Sequence, residues 1–225
     1  MRATFVTLLV LWLTSCGSTP SKIDLRSRVA GCEAVDGLRG LQIYVSHTGE
    51  DTKFEFRGDQ LLRTSVSGDS PLSRIPRNDS GMNWLESIEE RFPREPSRLG
   101  NGDQLGFPAA SSPDGRSWAA AIVTGSAKRT NGLIIRHGSE IQRLRNLPGF
   151  TLETLAWSQD SNMLAAIESR STTAVSGLKD FFSPHPVPYS DIVVTVYRAT
   201  GESVCQSILM QNARYATTKV AWIRP

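Results

Sequence analysis

Two stretches of this chain repeat one another 46 residues apart, and no other feature limits the possible folds so sharply. Phe107 to Val123 reads FPAASSPDGRSWAAAIV and Thr151 to Ile167 reads TLETLAWSQDSNMLAAI, so that Ser112 matches Ser158 and Asp114 matches Asp160. In both copies a small apolar run follows the turn. A shorter echo closes the chain, where Lys219 to Ile223 (KVAWI) repeats Leu155-Ala156-Trp157. Self-similarity at this period marks an architecture of stacked units, each too small to bury its own apolar surface. The turns are followed by strand-like segments: Gly132–Arg136 and Glu140–Leu144 after the first, Asp191–Arg198 and Ser203–Met210 after the second. Near the start, Leu41–Ser46, Thr52–Arg57 and Gln60–Val66 alternate apolar with polar residues between turn residues, a pattern that predicts three more strands.

The stretch SSPDGRSWAAAIV resembles the W-S-P-D-G-x-x-apolar-Ala-apolar signature of TolB-like and WD-repeat-like β-propeller blades. Asp-Gly supplies the positive φ of a tight hairpin, and the following strand, apolar on both faces, suits a position between two neighbouring sheets. The second copy departs from the signature, with Gln159 in place of proline and Ser161 in place of glycine. The resemblance implies an all-β fold, an incomplete or small propeller-like array of four-stranded blades over residues 28–225. The blades would be Phe107–Leu144 and Leu152–Met210, with a third formed by the terminal strand Thr217–Ile223 joining the three amino-terminal strands. Three blades fall short of the four that a closed ring needs, so a β-sandwich or an open β stack is the alternative. Residues 67–106 break the pattern and read as an irregular insertion. It carries one short helix, Gly81 to Phe92, with Asp79 or Ser80 as cap, Pro93 as stop and Trp84, Leu85, Ile88 and Phe92 on one face.

The amino terminus supplies an address. Arg2 precedes the apolar run Phe5–Leu13, which as a helix would span about 14 Å, against the roughly 30 Å of a hydrocarbon core. A signal peptide over residues 1–15 fits better than a membrane span. Leu13-Thr14-Ser15-Cys16 resembles the lipobox of bacterial lipoproteins, which implies cleavage before Cys16 and acylation of its sulfur, the nucleophile suited to that transfer. Residues 16–27 would then be the lipidated cysteine and a polar tether, and Gly17 favours the periplasmic face of the outer membrane over the inner membrane. Once Cys16 is set aside, Cys32 and Cys205 form an even pair in an oxidising compartment; they are expected either as a disulfide or as two buried thiols.

Chemistry is harder to find. The net charge of +3 is small and well mixed, which argues against nucleic acid as a partner. There is no G-x-S-x-G, no P-loop, no G-x-G-x-x-G and no H-E-x-x-H, and His47, His137 and His185 are scattered. We therefore expect no cofactor, no metal and no catalytic residue. The insertion Ser169–Ser190 ends in GLKDFFSPHPVPY, where Phe181, Phe182 and Tyr189 on a proline-stiffened loop are candidate interaction anchors. The functional expectation is a lipid-anchored, periplasm-facing, non-catalytic protein-interaction module with an envelope protein as partner. The alternatives are a structural or assembly lipoprotein, or an enzyme acting on glycan or peptide.

Overall fold

The computed structural model describes residues 30–32, 35, 38–48, 50–57, 60–66, 103–124, 129–172, 189–214 and 216–223. They form twelve strands: β1 (Leu41–His47), β2 (Glu50–Arg57), β3 (Gln60–Val66), β4 (Asp103–Ser111), β5 (Ser117–Thr124), β6 (Arg129–His137), β7 (Glu140–Arg145), β8 (Thr151–Trp157), β9 (Met163–Thr172), β10 (Tyr189–Arg198), β11 (Ser203–Arg214) and β12 (Thr217–Trp222). The strands make three four-stranded antiparallel sheets. Sheet I is β4-β5-β6-β7, sheet II is β8-β9-β10-β11, and sheet III is β12-β1-β2-β3. Sheet III is thus assembled from both ends of the chain, with Leu41 opposite Trp222 and Ser46 opposite Thr217.

Sheet II lies in the middle, which explains why β10 is buried at almost every position. One of its faces packs on sheet III, where Ala165, Ile167, Ile192, Val194 and Val196 meet Ile43, Val45, Phe54, Val220 and Trp222. The other packs on sheet I, where Leu155, Trp157, Leu164 and Ala166 meet Ala119, Ala121, Leu133 and Ile135. The small residues of the repeat let two backbones approach closely from either side. The two outer faces differ. On sheet III, Tyr44, Gln42, Glu55 and Lys53 form a hydrogen-bonded polar row, with Tyr44 Oη donating to Gln42 Oε1 (2.7 Å) and Gln42 Nε2 to Glu55 Oε1 (2.7 Å). On sheet I the outer face is apolar, built from Ala109, Trp118, Ala120, Ile122 and Ile134.

Among the described residues the three sheets do not close into a ring. The described strands match the open stack of the alternative expectation and not a closed propeller, because sheet III packs on II and II on I, and no described sheet joins the outer face of I to that of III. The expected helix Gly81–Phe92 lies outside the described residues. The irregular stretch expected to run to residue 106 ends earlier, since Asp103–Gly106 pair with Thr124–Ala121 in β4. Phe107 and Pro108 are taken up by a register shift between Gly106 and Ala109.

The repeat explains how the sheets hold one another. Trp157 Nε1 donates to the Ala110 carbonyl of sheet I (3.0 Å), and Trp222 Nε1 donates to the Ala156 carbonyl of sheet II (3.0 Å). Ala110 and Ala156 occupy equivalent repeat positions, so the same contact is made twice in succession.

Candidate functional site

The aligned sheets give the stack two distinct ends. One carries the tight turns of sheets I and II. Ser112 Oγ donates to Asp114 Oδ1 (2.6 Å), while Ser112 Oγ accepts from Ser117 N (2.9 Å) and Asp114 Oδ1 from Arg116 N (3.0 Å). The second copy repeats the pattern: Ser158 Oγ donates to Asp160 Oδ1 (2.5 Å) and accepts from Met163 N (2.9 Å), and Asp160 Oδ1 accepts from Asn162 N (3.1 Å). These hydrogen bonds, with the serine hydroxyl as the largest influence, lower the pKa of both Asp114 and Asp160. A carboxylate so occupied with its own turn is a structural group. The remaining tight-turn residue of note is His137, whose Nδ1 lies 2.7 Å from Ser117 Oγ; the two are register partners across β5 and β6.

The opposite end receives the long connections. Val66 and Asp103 flank residues 67–102 there, and Thr172 and Tyr189 flank residues 173–188. The strand ends beneath them are pinned by charge and hydrogen bonding. Arg170 pairs with the buried Asp191 (2.7 Å), and its guanidinium stacks over the Phe150 ring at 5.0 Å. Asp191 also accepts from the Asn212 backbone N–H (3.1 Å). Buried Glu168 accepts from Leu147 N (2.9 Å) and from Thr195 Oγ1 (3.3 Å). Long loops on a rigid scaffold are where binding residues tend to sit.

At this end a small polar cleft opens between β8 and β12. Glu153, Ser169, Ser190, Ile192, Ala216 and Thr218 line a depression of about 20 Å³. The position of Glu153 follows from a slip in β8. Leu152 pairs with Glu168 and Thr154 with Ile167, so Glu153 is the extra residue of a bulge. Regular alternation from Trp157 and Leu155 would aim residue 153 at the apolar contact with sheet I. The bulge returns Leu152 to that contact and releases Glu153 beside β12. One oxygen, Oε1, accepts from Thr151 Oγ1 (3.2 Å) and from Ser169 Oγ.

Of the residues singled out by sequence, Cys16, Phe181 and Phe182 lie outside the described residues. Tyr189 is the first residue of β10, pairs with Thr172 and Arg214, and is only 9% exposed; its ring is covered rather than presented on a loop. Cys32 and Cys205 are joined (S–S 2.19 Å, Cα–Cα 4.8 Å), and both are fully buried. Around the bridge, Ala30 pairs with Cys205 in parallel and accepts from Gln206 N (2.9 Å), and Ser207 Oγ accepts from Cys32 N (2.8 Å). Glu153 was missed by sequence reasoning. Its signal was present in the spacing of Leu152, Leu155 and Trp157, three residues and then two, which a regular strand cannot place on one face. No protein-family model matches the chain, and no curated protein matches it.

Proposed function

We propose that the chain is a lipid-anchored lipoprotein of the cell envelope, on the periplasmic face of the outer membrane, whose β stack is a non-catalytic protein-interaction module. The observation that carries the reading is the lipobox-like Leu13-Thr14-Ser15-Cys16 at the end of a short apolar run. The Cys32–Cys205 bridge supports it, since such bonds persist in oxidising compartments. The topology supports the interaction role. Ala30 pairs in parallel with Cys205, near the start of β11, while both long connections join strands at the opposite end of the stack. In the proposal the end that receives the two long connections is the one that meets an envelope protein partner, since long loops on a rigid scaffold are where binding residues tend to sit. Kinship with TolB-like proteins is part of the proposal, supported by the repeated Ser-x-Asp turn; a closed ring is not.

Labelled palmitate incorporation into the full chain tests the anchor: the wild type takes up label and Cys16→Ser does not. Crosslinking in intact cells followed by mass spectrometry tests the module. A reproducible envelope protein crosslinked through residues 173–188 supports it. Uptake of label by the Cys16→Ser chain, or crosslinks confined to the tight-turn end, would overturn the corresponding half.

A further inference from the structure

The geometry points to the Glu153 cleft as a receptor for a primary ammonium group, in particular a lysine side chain presented by a protein partner. This deepens the interaction reading above and rests on it for the partner, though not for the chemistry. Glu153 brings one carboxylate to the cleft, and Ser169, Ser190 and Thr218 bring three hydroxyls, which can accept as well as donate. Hydrogen bonds from Thr151 and Ser169 fall on Oε1, leaving Oε2 as the acceptor for an incoming donor. The volume of about 20 Å³ is that of a water-sized group. An ammonium is compact, carries three donors and matches one carboxylate oxygen plus hydroxyls. A guanidinium is a planar fork that seeks both oxygens of a carboxylate, one of which is already engaged. Calcium needs six to eight oxygen ligands and commonly several carboxylates, which one glutamate does not supply. Ala216, partly exposed at the rim, offers an apolar contact for the methylene stem of a lysine.

The test is an NMR titration of the full-length chain in detergent micelles, which reads the cleft whether or not Cys16 is acylated and whether or not a partner is known. The probes are n-butylammonium, methylguanidinium, calcium chloride and sodium chloride at matched ionic strength. The expected result is a saturable shift of the Glu153, Ser169, Ser190 and Thr218 amides by n-butylammonium, with a Kd of about 1–10 mM as befits one small group. Methylguanidinium and calcium should be at least about tenfold weaker, a difference of about 1.4 kcal/mol, and sodium should give no saturable shift. Glu153→Gln, which keeps the size and Oε1 acceptor, should abolish the response. An unchanged response in Glu153→Gln, equal binding of methylguanidinium or calcium, or no saturable shift by n-butylammonium would each overturn the assignment. A cleft that binds n-butylammonium in a chain with no crosslinked envelope partner would leave the chemistry standing and remove the interaction role.

Discussion

Ser161 shows how one residue can serve two constraints. In the first repeat the equivalent position is Gly115, with φ +69° and open space around it. In the second it is a serine held at φ +62°, a left-handed conformation that L side chains adopt at a cost. The compensation lies across the sheet interface: Ser161 Oγ accepts from the backbone N–H of Asp114 (3.1 Å), so the turn of sheet II satisfies the turn of sheet I. Replacing Ser161 by Gly removes both the strain and the bond, and urea denaturation should find the two terms cancelling to within about 0.5 kcal/mol. Ser161→Ala keeps the strain and loses the bond, and should cost about 1 kcal/mol or more. Equal stability of the Ala and wild-type chains would show that the inter-sheet bond contributes nothing. The neighbouring carboxylates set a pH dependence. Asp114 and Asp160 have lowered pKa values, mainly through the Ser112 and Ser158 hydroxyls, and that of Glu55 is lowered mainly by its hydrogen bond with Lys53. A depressed folded-state value means that the contribution is complete above the unfolded value of about 4 and is lost as pH falls through the folded value. Thermal midpoints should therefore be flat from pH 7 to about pH 5 and decline below about pH 4, with a shallower decline in the Asp114→Asn/Asp160→Asn double variant.

At the scale of the element, the tryptophans that begin the repeat are what convert four-stranded sheets into a stack. Trp157 and Trp222 each combine a buried ring with one N–H aimed at the backbone of the preceding sheet. Trp157→Phe keeps most of the apolar area and strands the Ala110 carbonyl, so it should cost about 1–3 kcal/mol, and Trp222→Phe should cost a similar amount. The sites lie at different interfaces, so their effects on chemical denaturation midpoints should add; a marked excess in the double variant would mean that the two interfaces are coupled through sheet II. This architecture was largely readable beforehand. Period-two alternation such as Phe54 and Phe56 against Lys53 and Glu55 needs only one polar face, and the Ser-x-Asp turn announces its hairpin through its own hydrogen bonds. The echo Val220-Ala221-Trp222 even pointed to the strand that completes sheet III. What could not be read were departures from regularity set by neighbours. The bulge at Glu153 depends on which side of β8 meets β12, and the continuation of β4 through Gly106-Phe107-Pro108 depends on pairing with Thr124–Ala121. Tyr189 illustrates the same limit, because whether an aromatic beside prolines is presented or covered is decided by the strand it joins. The candidate site was therefore less legible than the fold.

At the scale of the whole molecule, both ends of the described chain are secured to the middle of the stack. Sheet III forms only when β12 returns to β1, a pairing between residues near opposite ends of the sequence, and such contacts carry the largest loop-closure cost. The Cys32–Cys205 bridge, with a sequence separation of 173, spans nearly the same interval. It ties the segment that leads into β1 to β11, the strand that leads into β12. Once formed, it removes most of the entropy that would otherwise oppose the closing of sheet III. The chain-entropy account sets the ceiling at on the order of 5 kcal/mol for a loop of this length. The double variant Cys32→Ala/Cys205→Ala is the appropriate probe, since a single substitution would leave one buried thiol behind. Its urea midpoint should fall by an amount equivalent to about 3–5 kcal/mol, with sheet III losing amide protection before sheets I and II. Because both sulfurs are fully buried, reductant should act on the folded wild type only as fast as the structure opens. Its effect should accordingly rise steeply with urea, whereas the double variant should not respond to it. If the double variant matches the wild type in midpoint, the pairing of β12 with β1 is sufficient by itself, and the bridge follows the closure of the stack without stabilising it.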